Sequence, residues 1–114
     1  MNKMVTKRKI RIPIFNYIMI VIIYDYWEDL KDYIPNELYN DPCKGITIEY
    51  DDYCVVVCPH NHIPTVVHEC GHIANMIWKY IGYTPIRDND EVDQYLRTYL
   101  FEEINKIINK HLSK

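Results

Sequence analysis

Residues 65–80 read TVVHECGHIANMIWKY. Apolar residues at Val67, Cys70, Ala74, Ile77 and Ile81 recur at spacings of three and four, the period of one buried helix face. The spacing predicts a helix starting near Asn61 or Ile63, with Pro64 tolerated in the first turn. It ends at Gly82, in the position that favours a left-handed residue. A second helix is expected from Asp88–Asp90 to about His111, burying Val92, Leu96, Tyr99, Leu100 and Ile107.

Upstream the period changes to two. Ile10, Ile12 and Ile14 alternate with Lys9, Arg11 and Pro13, and Ile18, Ile20, Ile22 and Tyr24 continue the alternation, so a hairpin is expected. DYWEDLKDY, residues 25–33, is amphipathic with an acidic opening and predicts a short helix ended by Pro35. NELYNDPCKG follows as a loop. ITIEY and YCVVVCP are strand-like runs parted by two aspartates. Strands first and two long helices afterwards imply an α+β fold, a small N-terminal sheet packed on a helix pair, within one domain spanning 1–114.

With 114 residues, 48% hydrophobic and 25% charged, the chain can bury one small core. A net charge of −3 offers no general attraction to polyanions, so no nucleic-acid partner is expected. The four cysteines, Cys43, Cys54, Cys58 and Cys70, are expected as reduced thiols, because nothing marks the chain as secreted. The basic start followed by IPIFNYIMIVIIY has the outline of a signal peptide. That run is too short to span a bilayer, contains Pro13 and Asn16, and lacks a small-residue cleavage site. A cytoplasmic protein without a membrane partner is the expectation.

Within the long helix, His68 and His72 stand four apart and therefore on one face. Their Cβ atoms are about 5 to 6 Å apart, close enough for both imidazoles to reach one zinc ion. Glu69 is rotated by about 100° from His68, so it flanks the open coordination position, where a general base for an attacking water belongs. Against this stands the bland alternative, two histidines falling four apart on a surface helix. Gly71, between them, allows another element to come close.

A catalytic zinc takes three protein ligands and one open position. A third histidine six residues beyond the pair would need glycine at 75 and histidine at 78, where the chain has Asn75 and Trp78. The candidate is Glu91, near the start of the second helix on a stripe with Tyr95 and Thr98. Asp88 and Glu91 also match a capping box, which would turn the Glu91 carboxylate onto the backbone instead. Asp88, Asp90, Asp93 and Glu103 are the substitutes, and Glu103 could alternatively hold a ligand histidine by its free ring nitrogen.

HECGH followed by Glu91 at the head of a second helix resembles the gluzincin type of zinc metallopeptidase in minimal form. It is also similar to small uncharacterised HExxH proteins of bacteriophages. The resemblance covers residues 46–100 and implies a zincin-like fold, bound Zn2+, hydrolysis of a peptide bond in a peptide or protein substrate, and the host cytoplasm as location. It also implies an oxyanion-stabilising residue near the glutamate, for which Tyr95 or Tyr99 is the match.

A rival cluster, Cys54, Cys58, His60 and His62, has soft ligands but poor spacing for a structural zinc, and thiols on apolar strands are usually small buried hydrophobes. Three function classes follow: a zinc-dependent peptidase, a zincin-like binding or assembly module without turnover, and a zinc-stabilised structural domain. Glu69 separates the first from the others, since only hydrolysis needs a base there.

Overall fold

The structure, a computed structural model, describes residues 5–86 and 90–113. The predicted hairpin forms from β1 (Val5–Ile12) and β2 (Tyr17–Tyr24), antiparallel with Ile12 opposite Tyr17. β3 (Ile46–Glu49) and β4 (Tyr53–Pro59) form the second antiparallel pair. β4 then lies parallel to β2, giving the order β1-β2-β4-β3 with β3 at one edge. The helices are α2 (Ile63–Ile81) and α3 (Glu91–Leu112), so the architecture is the expected α+β.

Between β2 and β3 the expectation was partly wrong. Only Trp27–Leu30 forms a 3-10 turn, and a one-turn helix, α1 (Asn36–Tyr39), lies within the stretch expected to be a loop. This segment covers the sheet face away from the long helices: Leu30 and Ile34 pack with Val5, Ile22, Tyr24 and Val57. Burial on both faces explains why β2 reads as a nearly continuous apolar run. Met19, Val21 and Ile23 face α2 and α3, while Ile22 and Tyr24 face the small segment. Ile14, predicted to continue the alternation, instead sits in the hairpin turn with φ 73° and is 96% exposed.

α2 begins and ends as its sequence predicts. His62 is the N-cap and accepts the Thr65 backbone N–H through Nδ1 at 3.3 Å, Pro64 lies in the first turn, and Gly82 closes the helix at φ 75°. Its buried face is rotated from the predicted stripe: Val66, Cys70, Ile73, Ala74 and Ile77 point inward, while Val67 and Ile81 are exposed. On α3, Val92 is likewise exposed, and Leu96, Leu100, Ile104, Ile107 and Ile108 carry the packing. Periodicity shows that one face is buried, but the sheet, with its own twist and pleat, selects which one.

Polar links tie α3 to the rest near both of its ends. Near its end, buried His111 contacts Thr6 Oγ1 through Nδ1 at 2.6 Å and Asp25 Oδ1 through Nε2 at 2.8 Å, and His60 shares the same Asp25 oxygen at 3.2 Å. Near its start, the indole N–H of Trp78 donates to buried Asp93 at 2.6 Å, and Arg97 Nε donates to the other Asp93 oxygen at 2.8 Å.

Cys54, Cys58 and Cys70 are buried free thiols. Burial pushes Cys54 and Cys70 from an ordinary value of 9.0 up to about 12, and raises Cys58 as well. Above pH 9 the unfolded chain loses these protons while the folded chain keeps them, so stability is fully present below that pH and falls as pH rises. Each thiol contributes about 1 kcal/mol of loss between pH 9 and pH 10, or about 3 kcal/mol for the three together. Urea unfolding at the two pH values is expected to show this loss, reduced by about a third in Cys58→Ala. An unchanged slope in that variant would mean that Cys58 ionises normally in the folded chain.

Candidate metal centre

Helical periodicity brings the two histidines together as predicted. His68 and His72 are exposed on α2, their Nε2 atoms 3.1 Å apart and their rings nearly perpendicular at 86°. Two nitrogens bound at 2.0–2.1 Å to one tetrahedral zinc stand about 3.4 Å apart, so the pair is arranged as two ligands of one ion would be. The same separation also suits an N–H···N hydrogen bond between one protonated and one unprotonated Nε2.

Glu69 points towards the edge strand. Its side chain is buried at 4% exposure, and Oε1 accepts the Thr47 hydroxyl of β3 at 2.5 Å. Oε2 lies against Gly45, where a Cβ would come within 3.1 Å of it and 2.5 Å of Thr65 Cγ2. Only a residue without a side chain lets the chain entering β3 approach α2 this closely. Lys44, Gly45, His62, Pro64, Thr65, His68 and Glu69 line a cleft of 310 Å³. Farther along the junction of β3 and α2, a second cleft of 390 Å³ is lined by residues including Glu49, Tyr50, Lys79 and Tyr80.

The third ligand is where the expectation and the structure part. Among the described residues no three His, Cys, Asp or Glu side chains form a group able to hold a metal. Glu91 is exposed in the first turn of α3 and is not gathered to the histidine pair. Asp90 is the N-cap of α3 and makes no side-chain cap bond, while Asp88 lies outside the described residues. Asp93 is committed to Trp78 and Arg97, and Glu103 pairs with Lys106 at 2.8 Å. Tyr95 is 71% exposed and lines an apolar groove with Ile14, Phe15 and Trp78. Tyr99 is half-buried in the same groove.

The rival cluster is not assembled. Cys54 and Cys58 are core thiols, His60 pairs with Asp25 and His62 caps α2. Sequence reasoning missed Thr47 and Arg97. Thr47 had no signal beyond its place on a strand. For Arg97 the signal was Gly71, where a Cβ would lie 2.9 Å from Arg97 Nη1.

No known protein family, curated protein or solved structure matches the chain. Among the described residues no helix is long and apolar enough to cross a membrane.

Proposed function

We propose that this chain is a zinc-dependent hydrolase of peptide bonds, with His68 and His72 as metal ligands and Glu69 as general base. The observation that carries this reading is the 3.1 Å convergence of the two Nε2 atoms on an exposed face, directly beside a buried, hydrogen-bonded carboxylate. Zinc, when bound, would supply Lewis acidity, lowering the pKa of water towards about 7 and polarising the scissile carbonyl. Glu69 takes the proton of the attacking water and returns it to the leaving amine. Thr47 holds Oε1 and so orients the carboxylate, leaving Oε2 to move the proton. An extended peptide fits along the edge strand β3, where main-chain hydrogen bonds and the two clefts flanking β3 and α2 are available to it.

The second reading, a zincin-like binding or assembly module without turnover and of the bacteriophage kind, is favoured by one observation. Among the described residues no group of three His, Cys, Asp or Glu side chains is gathered, whereas a catalytic zinc takes three protein ligands.

Metal analysis after dialysis against zinc tests the proposal. About one zinc per chain is expected, removed by chelator and absent from His72→Ala. The metal-bound form is expected to melt higher than the metal-free form, because the ion binds only where both imidazoles are held together. Failure of the chain to load any divalent ion, or equal loading by His72→Ala, would overturn both zinc-based readings.

A further inference from the structure

The α3 side chain that reaches the histidine-bearing face of α2 is a guanidinium. Positions 68, 71, 72 and 75 share that face by helical periodicity. Arg97 Nη1 lies over Gly71, and Nη2 donates to Asn75 Oδ1 at 3.4 Å. A cation on the helix face that carries the histidines cannot be a metal ligand. It is suited to receive an anion.

Arg97 is also held in place from behind. Nε donates to Asp93 Oδ2 at 2.8 Å, and Asp93 is fixed in turn by the Trp78 indole at 2.6 Å. One N–H on Asp93 would satisfy a purely structural ion pair. Here the side chain remains 36% exposed, and its far edge extends across a helix stripe from which Gly71 has removed the side chain. A glycine within a helix costs about 1 kcal/mol relative to alanine, and at this position the gap it leaves admits the guanidinium. A planar fork of donors, pre-positioned and partly wet, matches the two oxygens of a carboxylate.

We propose that Arg97 is the specificity residue of this site and binds a carboxylate of the substrate, so that the preferred peptides carry a free carboxylate close to the scissile bond. The assignment rests on the hydrolase reading for the identity of the ligand as a peptide, but carboxylate binding by Arg97 is measurable without turnover.

The experiment uses the Glu69→Gln protein, dialysed with and without zinc, and isothermal titration with N-acetyl-trialanine and with its C-terminal amide. The free acid is expected to bind at least about tenfold more tightly than the amide, the usual scale for a charge-assisted bond to a partly exposed group. Arg97→Gln is expected to bring the ratio to about one, and Arg97→Lys to keep part of it. Gly71→Ala provides a variant that keeps the Asp93 bridge: its Cβ would displace Nη1 and lower the ratio in a helix that alanine favours. An amidated peptide with an internal aspartate distinguishes a side-chain carboxylate from a terminal one, and tighter binding of either source than of the neutral amide supports the proposal.

Equal binding of acid and amide, no binding of either at millimolar concentration, or a ratio unchanged in Arg97→Gln would overturn it. The two readings fail separately. Zinc loading with a ratio of one removes the role of Arg97 and leaves the hydrolase reading, whereas an Arg97-dependent ratio in a chain that never loads metal removes the hydrolase reading and leaves the carboxylate site.

Discussion

Glu69→Gln is expected to lower peptide hydrolysis by the zinc-loaded protein by about 10²- to 10⁴-fold, the range for losing a positioned general base. The substitution is nearly isosteric, and its amide oxygen can still accept the Thr47 hydroxyl that now reaches Oε1 at 2.5 Å. Both histidines are untouched, so about one zinc per chain should remain bound. The measurement pairs kcat/KM on a peptide mixture with metal content on the same sample. Full activity in the variant, with metal bound, would mean that another group removes the proton. In a binding module the substitution would alter neither quantity, because no proton transfer depends on Glu69.

Asp93→Ala is expected to produce the largest loss of stability, about 1–4 kcal/mol: about 1–3 kcal/mol for leaving the buried Trp78 N–H unpaired, and up to about 1 kcal/mol for the ion pair with Arg97, which is partly exposed. Asp93 is buried between α2 and α3 and accepts from both Trp78 and Arg97. Without it the buried indole N–H has no acceptor, and the guanidinium loses the anchor that holds it over Gly71. For a domain of this size the melting temperature should fall on the order of 10 °C. Trp78→Phe removes a single hydrogen bond and should cost less, about 1–3 kcal/mol. A change below about 0.5 kcal/mol in Asp93→Ala would show that the link contributes little. Carboxylate selectivity should disappear with the anchor as well, which joins the stability of the helix pair to recognition at the site.

These two carboxylates differ in how far the sequence revealed them. Glu69 was legible because its role depends on spacing along one helix: α2 starts at a capping residue and an early proline, ends at a left-handed glycine, and carries His68 and His72 one turn apart. Asp93 was weighed as a metal ligand, yet it serves as the acceptor between Trp78 and Arg97. The sequence contains both partners, but nothing in their spacing says that an indole on one helix meets a carboxylate on the next. The same holds for Glu91, whose position at the head of α3 was read correctly, while among the described residues no third side chain joins the histidines in a metal-holding group.

The inward faces show the same division. Val67 and Val92 have the right period for a buried stripe and are 57% and 50% exposed, because a period defines a stripe only up to rotation about the helix axis. For the sheet, the alternation of Ile18, Ile20 and Ile22 announced a strand. It could not announce that β4 would insert beside β2 in parallel, with apolar side chains needed on both faces of the central strands.

From the sequence alone came the α+β class, the bounds of α2, the pairing of β1 with β2 and the meeting of His68 with His72. All of these depend on contacts between residues close along the chain, where backbone geometry dictates what meets. The tertiary structure alone decided the strand order, the buried side of each helix, the engagement of Thr47 with Glu69 and the arrival of Arg97, rather than a carboxylate, over Gly71. Those depend on how separate elements pack, which is determined by shape and burial over the whole core and leaves no fixed spacing to read.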